Sequence, residues 1–507
     1  MKERRSEPNY KSTLGLKQSH AITAMPFGAL LSARNMTLDG IGGKFTRLGY
    51  IPLFSIPGNP RIESLLDFRR MSGAQQVLAY AATNIWRQDG LSAVSVRAGV
   101  TDQRPWQWTT YRDEVYGVNG VDRSFKYDGT TEVAISITPL ANVTLTLQAG
   151  GALPLGTYSY VATLFDTNRG AESNPPALAT APSATTAGAN LTIRVTRPAG
   201  AANEGYTHWR VYRRGPAETV FTRVAEVLYA TTFVDDVGFL TGTVAVETDT
   251  GQIDVGNTVH PQSRLLLLYD DFDRLLMVDE TNPTLLVYSK PNAPHAYPSA
   301  NAYPIGRQDG FRILKLEKIG RAVLIEKRSG LWMLDGNPAT TTPRRISING
   351  TQDYYTSAVA ENFLVRLTPH GFYRMVPTEF SVTDLREDYV GRDIVTDESL
   401  IDWSQTAQVK AWDYRNGTSK HIYFFFPNSA IFATPVLVYD YNLSEEKQTH
   451  EWIPFLVGTD VYSVADYETS GERRMIFGDG NGRVWQWDIG DSDGSTLTTL
   501  ELNGTST

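Results

Sequence analysis

One unit recurs along this chain and constrains its fold more than any other feature. An apolar strand ends in a short polar turn, and a second strand rich in aromatic residues follows, closing in Asp-Gly or a similar turn. The first copy pairs Val77-Leu78-Ala79-Tyr80 with Ile85-Trp86, before Asp89-Gly90; the second pairs Glu114 to Val118 with Ser124 to Gly129. Later copies join Arg274–Val278 to Leu285–Ser289, Ala322–Ile325 to Gly330–Gly336, and Phe363–Leu367 to Gly371–Met375. The last two join His421–Phe426 to Val436–Asp440 and Arg474–Gly478 to Gly482–Asp488.

Except across one gap, the hairpins start about 40 to 60 residues apart, the span of a propeller blade. Their near-continuous apolar first strands suit burial on both faces and read as inner blade strands. The second strands alternate more and read as outer ones. The expected fold is all-β, a β-propeller of about six or seven blades. The competing arrangement is a sandwich or solenoid with many similar hairpins. No long helical period stands out, and Ile62–Arg70 is the best short helical candidate, equally readable as a strand.

The gap is a second module. Gly156–Phe165, Leu191–Val195, His208–Arg214 and Thr232–Asp236 are alternating strands, with a loop of small residues at Ser183–Gly188. The resulting organisation is a flexible arm at 1–20, a first part of the propeller at 21–137, an inserted β-sandwich at 138–250, and the rest of the propeller at 251–507. The Tyr-x-Tyr strand at Tyr158, the Glu172-Ser173-Asn174-Pro175-Pro176 segment and the Trp209-Arg210-Val211-Tyr212-Arg213 strand resemble fibronectin type III and immunoglobulin-like domains.

Composition excludes more than it assigns. Zero cysteines rule out disulfides, thiol nucleophiles and thiolate metal sites. No apolar run approaches the about 18 residues of a membrane span, and no apolar segment follows the charged start Met1 to Arg5, so neither an anchor nor a secretory signal is expected. A net charge of −8 argues against tight DNA binding, which needs cations to neutralise phosphates.

Catalytic motifs are absent: there is no phosphate-binding loop, His-Glu-x-x-His or nucleophile elbow. His20, His208, His260, His295, His370, His421 and His450 have no metal-like spacing. Asp113-Glu114, Asp270-Asp271 and Glu445-Glu446 read as solvated turn residues. Asp479-Gly480-Asn481-Gly482, and Asp488 with Asp491 and Asp493, offer oxygen ligands for calcium but complete no twelve-residue loop, and turn chemistry accounts for them. Trp106-Gln107-Trp108 and Trp485-Gln486-Trp487 suit either sugar stacking or packing between blades, and packing is the preferred reading. No catalytic, cofactor-binding or metal residue is assigned, and no cofactor is expected.

Met25–Ala29, Asn35–Gly49 with its Arg47-Leu48-Gly49 turn, the Ile62-x-x-Leu65-x-x-Phe68 element and Leu78–Trp86 resemble the opening of phage tail nozzle proteins. The resemblance covers about residues 20–130 and the later blades only in style; the inserted module departs from it. It implies a non-enzymatic virion protein, assembled in the host cytoplasm. As a subunit of a ring, expected to be a hexamer, it would form the distal channel of a short tail below the portal and adaptor. The implied partners are further copies, adaptor proteins, tail spikes or fibres, and genomic DNA that passes without specific binding. A thiol-free, acidic, sheet-rich chain fits this role, because like charge lets duplex DNA slide. Long inter-blade loops such as Pro291–Pro304 or Leu385–Trp403 are the candidate gates, on length alone.

Three alternatives remain. A carbohydrate- or receptor-binding virion protein would need an exposed shelf of Trp106, Trp108, Trp485 and Trp487. A glycan hydrolase would need two facing carboxylates in a pocket. A bacterial scaffold would use the inserted module to recruit a partner.

Overall fold

A computed structural model describes residues 49–189, 191–238, 252–378, 381–394, 401–416, 419–427, 435–442, 444, 450–469 and 471–489, with short strands at Ser32–Ala33, Met36–Leu38, Lys44–Thr46 and Leu502–Asn503. The 1–20 arm lies outside the described residues, as does most of the early segment that carries the nozzle resemblance.

Seven four-stranded antiparallel sheets make up most of the described chain. The first runs Ile62–Arg69, Gln75–Ala81, Asn84–Asp89, Ser92–Ala98; the second Gln107–Tyr111, Glu114–Val118, Phe125–Tyr127, Glu132–Ala134. The third runs Leu266–Tyr269, Arg274–Val278, Leu285–Tyr288, Ala302–Pro304, and the fourth Ile313–Ile319, Ala322–Lys327, Gly330–Asp335, Arg344–Ser347. The fifth comprises Ser357–Ala360, Phe363–Thr368, Gly371–Thr378 and Ser381–Tyr389, and the sixth Lys410–Asn416, Ser419–Phe425, Pro435–Asp440 and Glu451–Leu456. The seventh takes Ser463–Thr469, Glu472–Gly478 and Arg483–Trp487 from the far end of the chain and Tyr50–Ser55 from the near end.

The opening strand of each sheet touches the opening strand of the next, and that of the seventh touches that of the first. These contacts describe a closed ring of sheets, a β-propeller, which leaves no free sheet edge at its seam. Separate cores lie between neighbouring sheets. Trp452, Phe372, Phe424 and Tyr439 pack between the fifth and sixth; Trp487, Phe477, Tyr423 and Tyr50 pack between the sixth and seventh.

Every hairpin seen in the sequence is the middle pair of one sheet, which corrects the inner and outer assignment. The more apolar strand of each hairpin is the second strand, not the innermost. Arg274–Val278, Ala322–Lys327 and Phe363–Thr368 are buried at every position because a neighbouring sheet covers each face. The innermost strand borders the central channel and admits polar residues, so its apolar pattern is weaker. Ile62–Arg69 is such a strand, the innermost of the first sheet, not a helix.

Between the second and third sheets the chain builds a β-sandwich. One layer is Thr144–Gln148, Thr192–Thr196 and Phe233–Asp236; the other is Gly156–Asp166 with Ala171–Glu172, Ser183–Thr186, His208–Arg214 and Thr222–Leu228. Alternation puts Tyr160, Leu164, Trp209, Val211, Ile193 and Val195 between the layers, all fully buried. Among the described residues no helix is long and apolar enough to cross a membrane.

Candidate functional site at the channel mouth and the docked insert

Each sheet meanders outward from its innermost strand, so the residues that lead into those strands gather at one mouth of the channel. The first sheet brings Arg61 and Glu63, the third Arg264, the fourth Arg312, the fifth Asp353, Tyr354 and Tyr355, the sixth Lys410 and the seventh Tyr462. Aromatic faces hold the cations. The Arg264 guanidinium lies 3.8 Å from the Tyr354 ring centre, and the Lys410 ammonium lies 3.7 Å from that of Tyr355. Arg61 sits 4.9 Å over Tyr462 and bonds Glu63 at 2.5 Å. Arg312 donates to the Tyr354 hydroxyl at 2.7 Å and reaches Glu280 at 3.3 Å.

The mouth is electrostatically coupled across its width. Removal from bulk water pushes the Lys410 ammonium down to about 7; Glu63 and Asp353 oppose the shift, and Arg264 and Arg61 reinforce it. Burial pushes the Tyr355 phenol up, with Arg264 opposing and Tyr354, Glu63 and Asp353 adding to the rise. Further along the fourth sheet's innermost strand, Glu317 is raised by burial despite Lys315 at 2.5 Å. These residues share no sequence motif, and only ring closure unites them.

The candidates visible in sequence fall elsewhere. Trp106, Trp485 and Trp487 are at most 7% exposed, and Trp108 is half-buried against Trp106 and Phe125, so all four pack between sheets and form no open shelf. Asp479 is a turn residue: its carboxylate accepts the Asn481 and Arg483 amides and the Trp485 indole N–H at 2.8 to 2.9 Å. Asp488 accepts from Tyr414 and Asn416, while Asp491 and Asp493 lie outside the described residues. Glu445, Glu446 and His20 lie outside them too. Asp270 and Asp271 pair with Lys318 of the next sheet. Among the described residues no group of three His, Asp or Glu side chains has metal-binding geometry. Of the two gate candidates, Pro291–Pro304 joins strands within the third sheet, and part of Leu385–Trp403 lies outside the described residues.

Glu114 corrects the reading of Asp113-Glu114 as solvated. Asp113 caps a turn, accepting the Met71 amide at 2.8 Å, but Glu114 anchors the inserted sandwich. Arg169, on a sandwich turn, donates to Glu114 at 2.6 Å and to the fully buried Asp166 at 2.8 Å, and lies 3.9 Å from Asp128. The Asn203 carbonyl accepts from Arg123 at 2.8 Å and from the Ala134 amide at 2.9 Å. Glu204 accepts the Thr138 amide and hydroxyl. Behind this seam Lys126 is 5% exposed, and its ammonium is pushed down to about 8 by burial, which the nearby Glu114 partly offsets. His295 falls to about 4, through burial first and then the cations Lys126 and Lys290.

No known protein-family profile matches the chain, and no curated protein matches it. Solved structures similar to it include the Neurospora crassa Pan2 WD40 domain, at 8% identity and a TM-score of 0.36 over 92% of this chain and 99% of that one. Another is BBS1N in complex with ARL6DN, at 8% identity and a TM-score of 0.31, covering 88% of this chain and 99% of that one. Likeness at such scores carries no argument, so the fold rests on the strand pairing itself.

Proposed function

We propose that this chain is a structural, non-enzymatic virion protein: a nozzle subunit that assembles as a ring, six copies around an axis, and forms the distal channel of a short phage tail below the portal and adaptor. The seven sheets then act as the blades of one seven-bladed propeller. The inserted module is a fibronectin type III-like sandwich that carries contacts to neighbouring copies, spikes or fibres. Support comes from the early segment and first-sheet residues that resemble nozzle proteins. It comes also from the architecture, in which the sandwich is fastened to the propeller by Arg169, Glu114, Asp128 and Asp166 rather than tethered loosely.

A rigid side lobe on a closed ring suits a heterologous interface that repeats until it closes. Within such an assembly DNA would follow the axis of the ring of copies, not the narrow channel of any single propeller. Assembly in the host cytoplasm followed by persistence in the virion suits a chain without cysteine.

The observation that favours this reading over a carbohydrate-binding one is the burial of Trp106, Trp485 and Trp487, the residues that rival needs exposed. Native mass spectrometry of the purified chain, with and without a portal–adaptor complex, tests it. Six copies, or six captured by the complex, support it. A monomer that ignores the complex but binds glycan overturns it.

A further inference from the structure

The channel mouth holds two cations whose charge nothing nearby neutralises directly. Among the described residues neither the Lys410 ammonium nor the Arg264 guanidinium has a hydrogen bond or an ion pair; each rests only on a tyrosine face. The carboxylates around them are engaged elsewhere. Glu63 is bonded to Arg61, and Asp353 accepts the Tyr354 amide at 2.8 Å. The two cations come from the third and sixth sheets, on opposite sides of the ring, and still interact electrostatically with each other and with Glu63 and Asp353. The Tyr355 phenol, coupled to the same groups, makes no hydrogen bond among the described residues.

Charge held in a half-buried place without a partner carries a desolvation cost that an opposite charge removes. We infer that Lys410, Arg264 and Tyr355 form a binding site for a phosphate-type oxyanion, one per chain, at the mouth of the propeller's own channel. Arg264 supplies a fixed planar set of N–H donors, Lys410 a compact charge, and Tyr355 a hydroxyl donor. The tyrosine faces hold both side chains in place without pairing their charge, and a bound anion would favour the protonated form of Lys410. This site does not depend on the virion role.

Calorimetric titration of the full chain with tripolyphosphate, with sulfate and with citrate tests it. Sulfate stays dianionic from pH 6.5 to 8.5, so any pH dependence belongs to the protein. One site per chain is expected for tripolyphosphate and sulfate, weakened at least tenfold in Lys410→Met and in Arg264→Met and retained in Lys410→Arg. Sulfate affinity should fall roughly tenfold or more between pH 6.5 and 8.5, because an amine that titrates near 7 loses its proton across that window. In Lys410→Arg that dependence should flatten while binding persists. Thermal unfolding of each variant verifies that it is folded. Binding of citrate alone, no binding at millimolar oxyanion, or unchanged binding in both Met variants would each overturn the inference.

Discussion

Replacing Arg169 by Met tests the claim that the inserted sandwich is fastened to the ring. The substitution keeps the apolar stem of the side chain and removes the cation shared by Glu114 at 2.6 Å, Asp166 at 2.8 Å and Asp128 at 3.9 Å. Asp166 has no side-chain exposure and Glu114 has 15%, so both would lose their directly paired cation and keep only the nearby Lys126 ammonium. Breaking a fully buried pair costs about 3 to 5 kcal/mol. Arg169 is itself 23% exposed, which admits screening and lowers the figure to about 2 to 3 kcal/mol. A chain with two structural units need not unfold in one step, so local opening is the proper measure. Native-state hydrogen exchange at 114–118 and 160–172 should quicken roughly 30- to 150-fold, at about 1.4 kcal/mol per tenfold. Exchange in the fifth and sixth sheets should not change. Adding Asp166→Asn should recover part of the loss, since the charge left stranded is then removed. A variant that exchanges as the parent does would refute the reasoning: the seam would then be held by its other contacts, such as Arg123 to the Asn203 carbonyl and Thr138 to Glu204.

Other outcomes are as direct. Trp452→Ala empties a fully buried site against Phe372, Phe424 and Tyr439 and strands the Val390 carbonyl that its indole N–H meets at 2.8 Å; a loss of about 3 to 5 kcal/mol is expected by denaturant unfolding. Removing residues 1–56 deletes Tyr50–Ser55 and bares the edge of Arg483–Trp487, so the midpoint of thermal unfolding should drop and the protein should self-associate in light scattering. Lys126 has a folded value near 8, below its ordinary 10.5, so the unfolded chain binds its proton more tightly. Stability should therefore rise as pH climbs from about 8 to 10.5, and the penalty is fully present below 8. Lys126→Met should remove that slope and add up to about 3 kcal/mol near neutral pH, read by unfolding across pH.

The fold was legible where pattern is local. Double-faced burial wrote itself into Ala322–Ile325 and Phe363–Leu367 as unbroken apolar runs, and alternation marked the sandwich at Tyr158–Phe165. The same logic misplaced those runs, because the strand most buried in a propeller is the one between neighbouring sheets rather than the one at the axis. The closing strand Tyr50–Ser55 escaped notice since its partner, Arg483–Trp487, lies more than 400 residues away and no local signal links them.

Reading Trp106 and Trp485 as core residues succeeded because inter-sheet packing needs large rings at alternate positions. Glu114 misled because a carboxylate after a turn looks solvated until a distant arginine is brought to it. The channel mouth was invisible for the same reason: Arg264, Tyr355 and Lys410 meet only once the ring has closed.

Single-particle cryo-electron microscopy of the purified chain's assembly tests the central claim most directly. The account predicts six copies about one axis, each with seven wedges around its own hole and a side lobe fixed between the second and third wedges. A dispersed monomer, or a lobe that averages away beside an intact ring of wedges, would contradict it.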